Sequence, residues 1–492
     1  MATSKVIDTA QIAFDSGLDL FSSPSCNLGL SDMREQEHKP QNLDYSKSRI
    51  VFDIPNGGDT YLYMPATRLN VKLRLVDKDG NALTAVDFDK IFKPKTEKKT
   101  TANAGATGAG EDADGVAKAS QTEEDAEDEQ DAVVGAMVGP ISNLLHGLFD
   151  QVELFVGGHL ITSGDTGYSH KAMMRTLLCT SKEVQDTRLQ SALFYRDTPG
   201  AMNDPRLTPL GKNSGLKTRA KLTNGSRIVE LSGFPEISFL RTPRYLLNEV
   251  PLKLTFHHTN SAFRLMSADV DADYRVEIVD ISLFTTQVTP ASQVLIAHQE
   301  LLQSGKMARY YYVKQNLHQV CIPKGSTNFT QGAFFQSDVP DRMVFCFANT
   351  KALDGCYKLN PYKYDHYFLN YLNISVSGVP VHFGIKTPDF DHCLTDGLYE
   401  HLFTADPRFD VSNDVVSPGI TKEAFCNGSA IFSVDFNRAT RQGAFYPTRQ
   451  NGSVKFDLRF AKPLPHTVTM LVLAFTPEFV EIDQARAVNV TR

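Results

Sequence analysis

Two short motifs have the residue types of ligand-binding loops. The segment GATGAG at residues 105–110 has the glycine spacing of a phosphate-binding loop, but no strand precedes it and no Gly-Lys-Ser/Thr follows it. The segment DVDAD at residues 269–273 begins like a calcium-binding loop, but the required Gly and the distal Glu are missing. We therefore interpret the first motif as part of a polar insert and the second as a turn between strands.

A second group of candidates consists of side chains that bind metals. His257 and His258 are adjacent, and neighbouring residues on a strand point to opposite faces, so one ion cannot be held by both. We interpret them as a solvated strand end. His382 and Cys393 stand alone, and we expect each to be packed or exposed rather than a ligand. The sequence therefore predicts no metal site.

Two Asp-His pairs raise the question of nucleophilic catalysis. They are Asp365-His366 and Asp391-His392, and serines are scattered through the same half of the chain. Neither pair lies in a strand-turn-helix pattern that would place a serine nucleophile beside it, so neither indicates a catalytic triad. We expect no catalytic residue, no cofactor-binding residue and no cofactor, and the protein is predicted not to be an enzyme.

The cysteines are scattered and odd in number, and no CxxC pair occurs among them, which favours reduced thiols over a disulfide framework or a zinc site. The first residues, MATSKVIDTAQIAFDSG, lack the apolar segment of a signal peptide, and no apolar run is long enough to span a bilayer. These observations predict folding in a reducing cytosol or nucleus. The seven cysteines are Cys26, Cys179, Cys321, Cys346, Cys356, Cys393 and Cys426.

Composition indicates two β-rich domains. The 492 residues are too many for one ordinary domain and suit two of about 200 each. The chain has 31 Phe and 17 Tyr but no Trp, and its 24 Pro and 32 Gly are typical of strands joined by many turns. A net charge of −7 without a basic arm argues against wrapping nucleic acid through its own surface. That charge either serves solubility alone or leaves contact with a genome to other proteins.

Alternating apolar and polar residues predict many strands. Leu69, Val71, Leu73 and Leu75 alternate with polar or charged neighbours, as in a strand with one buried face. The other segments with strand patterns are 48–55, 152–161, 227–234, 249–258, 274–288, 310–325, 343–349, 367–381, 429–437, 454–460 and 467–479.

Two polar regions lack such patterns. Residues 1–45 are polar and irregular, and we interpret them as an extended N-terminal arm. Residues 93–133 run from a Lys/Thr stretch to an acidic block and bury too little apolar area to offset the entropy of ordering. The second region is predicted to be a low-complexity loop inserted in the first domain. It is either a charged outer interaction loop or a tolerated insertion.

The two halves of the chain repeat one order of elements. VELFVGGHLI at 152–161 parallels LNISVSGVPV at 372–381, since each is an alternating strand, a glycine turn and a short apolar return. A short amphipathic helix is predicted after each, at 167–180 and at 394–403. Repeats of this kind are the first feature to establish in a long chain.

A third parallel lies further on. FLRTPR at 239–244 and FNRATR at 436–441 each follow a strand and precede a lysine-bearing alternating strand by about ten residues. We interpret the repeated arginine pair as a shared loop geometry rather than a ligand site. Each half then ends on a long apolar strand.

Three parallels in one order predict two copies of one all-β domain. Many short strands, long loops and few helices favour two tandem eight-stranded antiparallel jelly rolls with short helices in the loops. The predicted domains are an arm at 1–45, a first jelly roll at 46–290 that carries the insert, and a second jelly roll with a C-terminal tail at 291–492.

Several segments resemble a known protein family. They are YDHYFLNYLNISVSGVPV (364–381) with TPDF (387–390), FDQVELFVGGHLI (149–161), YSHKAMMRTLL (168–178) and YRVEIVDISLFTTQVTPASQV (274–294). These segments resemble the double jelly-roll major capsid (hexon) proteins of the adintovirus and Polinton-like group. Adomavirus hexons and hexon-like genes in invertebrate genomes are near neighbours of that group. The likeness covers roughly residues 45–480.

The resemblance implies a structural role. It implies homotrimeric, pseudo-hexagonal capsomers that tile an icosahedral double-stranded DNA virus shell, contacting neighbouring capsomers and penton, vertex and minor capsid proteins. It also implies a virion location, with synthesis in the host cytoplasm and assembly in the nucleus, and no sequence-specific nucleic-acid binding. Two alternatives stay open, which are a cellular tandem jelly-roll carbohydrate-binding protein and a minor capsid or vertex protein of the same virus class.

Overall fold

A computed structural model describes residues 29–42, 44–45, 49–88, 136–335, 338–381, 384–404, 419–436 and 450–491. The predicted insert at 93–133, the GATGAG motif and His382 lie outside these residues, as does most of the second arginine motif at 436–441.

The described residues form mainly β-strands. The strands are β1 (Leu30–His38), β2 (Arg49–Ile54), β3 (Tyr61–Asp77), β4 (Val138–Pro140), β5 (Phe149–Val156), β6 (His159–Leu160), β7 (Val229–Gly233), β8 (Leu252–His258), β9 (Leu265–Ser267), β10 (Tyr274–Pro290), β11 (Ala308–Ile322), β12 (Asn328–Gln331), β13 (Asp338–Val339), β14 (Arg342–Asn349), β15 (Leu369–Val376), β16 (Val379–Pro380), β17 (Ile431–Asp435), β18 (Gln450–Asn451), β19 (Val454–Phe460), β20 (Val468–Ile482) and β21 (Val488–Thr491).

Short helices occupy the connections. The α-helices are α1 (Leu144–Gly147), α2 (Tyr168–Cys179), α3 (Lys182–Asp186), α4 (Ser214–Leu222), α5 (Ser261–Arg264), α6 (Ser292–Gln303), α7 (Thr350–Asp354) and α8 (Lys422–Cys426). Turns of 3₁₀-helix lie at Arg188–Ala192, Asn224–Ser226, Phe239–Arg241 and Glu400–Thr404.

The first half of the chain, residues 29–290, folds into a sandwich of two antiparallel sheets. One sheet has the order β1-β10-β3-β7 and the other β2-β8-β5-β6. Counted along the chain, the eight strands of this first sandwich therefore lie in the orders 1-8-3-6 and 2-7-4-5. Residues 30–38 form its edge strand and pair with β10 from Leu30–Pro290 to His38–Leu283. These residues, which the sequence places in the extended N-terminal arm, thus belong to the first sheet.

The second half, residues 308–491, repeats this arrangement. Its two main sheets have the orders β11-β20-β14-β17 and β12-β19-β15-β16, which are again 1-8-3-6 and 2-7-4-5. The strand β21 pairs with the end of β20, so residues 488–491 belong to the sheet rather than to a tail. Helix α6 connects this second sandwich to the first.

Strand patterning explains why these segments pair as they do. In β3, Leu69, Val71, Leu73 and Leu75 are buried while the residues between them face outward. Strand β20 is buried almost continuously through its first half because it lies between β11 and β14. The buried apolar residues of both sandwiches form one continuous core. The two halves therefore stabilise each other as well as themselves.

One predicted helix is wrong. Of residues 394–403, only the segment from Glu400 onward is helical, and it is a 3₁₀ turn. Asp396 and Gly397 adopt positive φ angles of 49° and 77°, which an α-helix cannot contain. The predicted helix at 167–180, by contrast, is α2.

Candidate assembly surfaces

The adjacent histidines of β8 point to opposite faces of the strand. His257 is half-exposed, with Nε2 3.7 Å from Glu153 Oε2. His258 points the other way, against Phe149, and burial together with nearby Arg264 lowers its pKa to about 4. The two imidazoles therefore face different surroundings, as the alternation of a strand requires.

The two Asp-His pairs are also separated by the fold. His366 stacks on Phe390 with ring centroids 4.2 Å apart, while Asp365 pairs with Lys363 at 2.8 Å. In neither pair does the aspartate orient its neighbouring histidine.

The second pair shows the same separation. His392 pairs with Asp389 at 2.6 Å, and Asp391 pairs with Lys462 at 2.9 Å. Both ion pairs lie on the exposed surface, and exposed ion pairs contribute little to stability.

The remaining candidates have structural partners. Asp269, from the DVDAD motif, accepts a 2.5 Å hydrogen bond from Tyr274 in the turn before β10. Cys393 forms a disulfide with Cys426, so the prediction of reduced thiols alone is wrong. The fold brings a loop residue and the end of α8 to a Cα separation of 6.2 Å, which the spacing of 33 residues does not reveal.

The described ranges contain no group of three or more His, Cys, Asp or Glu side chains arranged to hold a metal ion. In the same ranges, no helix is both long and apolar enough to cross a membrane.

One cluster of contacts between the two sandwiches surrounds a buried lysine. Lys171 on α2 pairs with Asp165 at 2.8 Å and also donates to the carbonyl of Gln315 on β11, at 3.2 Å. Asp165 in turn accepts a hydrogen bond from the backbone N–H of Leu317. Main-chain groups of the second sandwich are thus bound by charged side chains of the first.

A second junction cluster surrounds a buried arginine. Arg219 on α4 is fully buried and pairs with Asp197 at 2.6 Å. Its guanidinium also donates to the carbonyls of Pro140 and Tyr195, at 2.7 and 2.6 Å. From the second sandwich, Asn360 donates to the other oxygen of Asp197 at 2.7 Å. A buried ion pair that keeps all these partners fixes one relative geometry, because any shift leaves a charge unsatisfied.

Aromatic residues complete the junction. Tyr312 of β11 donates to Glu478 at 2.6 Å and packs edge-on against Phe239 of the first sandwich. His170 of α2 lies 3.1 Å from the hydroxyl of Tyr364 in the second sandwich. Burial lowers the pKa of His170 to about 3, so its ring is neutral near pH 7. Polar and apolar contacts together thus join the two sandwiches.

Apolar side chains stay exposed along the connection between the sandwiches. In α6, Ile296 is 57% and Leu301 45% exposed, and Met307 and Tyr311 follow on the same stretch of chain. A groove of about 540 Å³ lies beside them and includes Tyr245 in its lining. We name Ile296, Leu301, Met307 and Tyr311 the linker surface. Several exposed apolar side chains within one short stretch of chain are typical of a protein–protein contact.

The sheet edges limit uncontrolled pairing. The edge strands β6 and β16 have only two residues each, and β1 carries alternating charges such as Asp32, Arg34 and Glu35. Short or charged edges prevent strand addition by other chains. These three edges therefore disfavour pairing with strands of other chains.

The fold is shared with proteins of virus particles. A chain of the Sputnik virophage, determined by cryo-EM, superposes with a TM-score of 0.58 at 12% identity, covering 98% of this chain and 93% of that one. The Faustovirus major capsid protein superposes with a TM-score of 0.52 at 9% identity, covering 97% and 93%. The chain has the double jelly-roll fold. The predicted fold class is thereby confirmed, and neither neighbour is an enzyme.

The chain also has a relative by sequence. An uncharacterised protein of Caenorhabditis elegans is 20% identical over 333 residues, covering 66% of this chain and 75% of that protein. No protein-family model matches the chain.

The junction residues were missed by the sequence analysis. Lys171 and Arg219 lie in segments whose patterns indicate only a helix or a polar loop, and their partners are far away in the chain. Lys171 could have been found from the sequence, because helical periodicity places this charged residue on the buried, apolar face of α2.

Proposed function

We propose that this protein is the major coat protein of an icosahedral double-stranded DNA virus and forms pseudo-hexagonal homotrimeric capsomers. The observation that carries the proposal is the pair of eight-stranded jelly rolls with one sheet order, packed against each other through a shared apolar core. The resemblance of Sputnik and Faustovirus particle proteins in fold supports it.

Geometry connects this shape with a capsomer. Two similar rolls per chain and three chains give six similar corners, and such a block tiles a flat face. The contacts within a homotrimer join unlike surfaces and close after three copies. A rigid junction is required, because rolls that moved independently would not keep hexagonal spacing.

The linker surface supplies apolar area for these contacts. In the single chain Ile296 and Leu301 face outward on α6, although a helix of a folded domain normally buries such residues. We propose that neighbouring copies of this chain cover them in the assembled coat. Obligate interfaces of this type bury several thousand Å².

The finer assignment is also a proposal. The sequence motifs support a place in the adintovirus and Polinton-like group, and similarity to an invertebrate protein agrees with hexon-like genes in such genomes. We propose a non-enzymatic protein of the virion with no catalytic or metal site. We propose synthesis in the host cytoplasm, assembly in the nucleus, and penton and minor capsid proteins as partners.

The first test is the absolute mass of the purified protein, measured by light scattering after size exclusion. A mass of three chains, or of a larger assembly, supports the proposal, and a monomer at every concentration overturns it. The variant Leu301→Asp is expected to shift the mass toward one chain with an unchanged circular dichroism spectrum. The matched control Leu210→Asp changes an exposed leucine outside the linker surface and should leave the mass unchanged.

A further inference from the structure

An arginine-lined cleft lies on the first jelly roll. It has a volume of about 630 Å³ and opens where the end of α2, the 3₁₀ turn at Arg188–Ala192 and the end of β7 meet. The side chains of Arg68, Arg175, Arg188 and Arg241 line it. This volume lies within the range of small-molecule sites.

The positive charge in this arginine cleft is not balanced. Glu236 is the sole carboxylate in the lining, and it is shared by Arg175 at 3.2 Å and Arg241 at 2.5 Å. Four positive groups and one negative group leave a formal charge of +3. Arg68 reaches Glu35 on the exposed edge strand, a pairing that solvent screens.

Arg188 is the least compensated of the four. Its guanidinium stacks on the ring of Phe234 at 4.7 Å, and in the described part of the chain no carboxylate lies within ion-pairing distance of it. The pKa of Arg241 is lowered, first by burial; Glu236 opposes this shift, and Arg175 and Arg188 add to it. The guanidinium groups therefore repel one another, and an anion between them would remove that repulsion.

The repeated arginine motif of the sequence contributes one of these groups. Arg241 reaches the cleft, whereas Arg244 donates to the carbonyl of Arg309 at 2.5 Å beside the linker surface. The two arginines of FLRTPR thus have separate surroundings.

We propose that the arginine cleft binds a multivalent phosphate anion. Guanidinium groups are donor-only and match the oxygens of phosphate in a planar, bidentate manner. The lining carries a formal charge of +3, or +2 when Glu35 beside Arg68 is counted, and either value calls for more than one negative charge in the ligand. An acidic peptide would also bring N–H donors, which find few acceptors among four guanidinium groups. The cleft lies within one chain, so binding is independent of the proposed capsomer.

The test is calorimetric titration of the purified full chain with tripolyphosphate. The variant Arg188→Gln removes an exposed cation that has no ion-pair partner among the described residues, so the fold is expected to persist. It should weaken binding about tenfold or more, as expected for loss of a charge-assisted contact. Arg227→Gln, an exposed arginine of the same jelly roll outside the cleft, is the matched control and should change affinity by less than about twofold.

Further titrations identify the recognised group. Equal affinity for ATP and tripolyphosphate supports recognition of the phosphate chain alone, and tighter binding of ATP supports the phosphate chain as part of a nucleotide. Absence of saturable tripolyphosphate binding overturns the proposal, as does binding that Arg188→Gln leaves unchanged. Arg188-dependent binding of a polyglutamate peptide without tripolyphosphate binding also overturns it, because the site would then be specific for carboxylates.

Discussion

The turn between β5 and β6 gives a sharp test of how the two jelly rolls fit together. Gly157 and Gly158 form this turn with φ angles of 54° and 87°. A Cβ atom added at Gly157 would lie 2.6 Å from Cγ2 of Val488 on β21, in the second jelly roll. A Cβ atom at Gly158 would have no heavy atom within 4 Å. The two glycines therefore differ in packing, although both are left-handed.

The second jelly roll shows what the turn itself requires. At the equivalent place the chain has Ser377 and Gly378, with φ angles of 49° and 85°. A side chain is tolerated at the first position there, so left-handed backbone alone does not demand Gly157. The close contact with Val488 is what requires glycine at position 157.

The magnitudes follow from these two effects. Gly158→Ala should lower the free energy of unfolding by about 1–2 kcal/mol, the cost of a left-handed residue with a Cβ. Gly157→Ala should lower the free energy of unfolding by this amount and by about 1–3 kcal/mol more, because its Cβ overpacks against Val488. The difference between the two variants thus isolates the contact between jelly rolls.

Urea unfolding followed by circular dichroism measures both variants, since the chain has no tryptophan. In a Val488→Ala background the additional cost of Gly157→Ala should disappear, leaving about 1–2 kcal/mol. Equal losses for Gly157→Ala and Gly158→Ala in the native background would refute the proposed packing of β21 against this turn.

Three further predictions concern the junction and the disulfide. Arg219→Met leaves Asp197 buried without a counter-charge and should cost about 3–5 kcal/mol in urea unfolding; a loss below about 1 kcal/mol contradicts this. Reducing the Cys393–Cys426 disulfide should release two thiols in a denatured titration and cost about 2–4 kcal/mol, and an unchanged thiol count excludes the bond. The pKa of His170 is lowered to about 3 by burial, so the unfolded chain binds this proton more readily. The stability that depends on a neutral His170 is therefore complete above about pH 6.5 and is lost on acidification. At pH 5 the free energy of unfolding should be about 2 kcal/mol lower from this group. His170→Gln should flatten that dependence, and an identical slope would argue against a buried neutral ring.

Local pattern was sufficient to predict most strands. Alternation placed β3, β5 and β19 because one face of each is buried and the other is exposed, which is a property of the strand itself. The order of elements in the two halves then predicted a tandem jelly roll. These predictions succeeded because a strand buried on one face has an apolar side chain at every second residue, which the sequence shows directly.

Features that depend on distant partners were missed. The charged strand β1 has no apolar alternation, because it is an edge strand that β10 holds by backbone hydrogen bonds. Helix α6 was not predicted because its apolar residues lie at a domain boundary and stay largely exposed. The Cys393–Cys426 bond and the Arg219 cluster join residues that only the tertiary fold brings together.

The pairing of β1 with β10 has a consequence for synthesis. Ser31 bonds to Thr289 across 258 positions of sequence, so the first sheet cannot close until residue 290 has left the ribosome. At about 5–20 residues per second, β1 waits roughly 12–50 s for its partner. An apolar strand in that position would associate with other nascent chains. The charges of β1 keep it hydrated through this delay. The same charges therefore limit pairing with other strands both in the nascent chain and at the edge of the folded sheet.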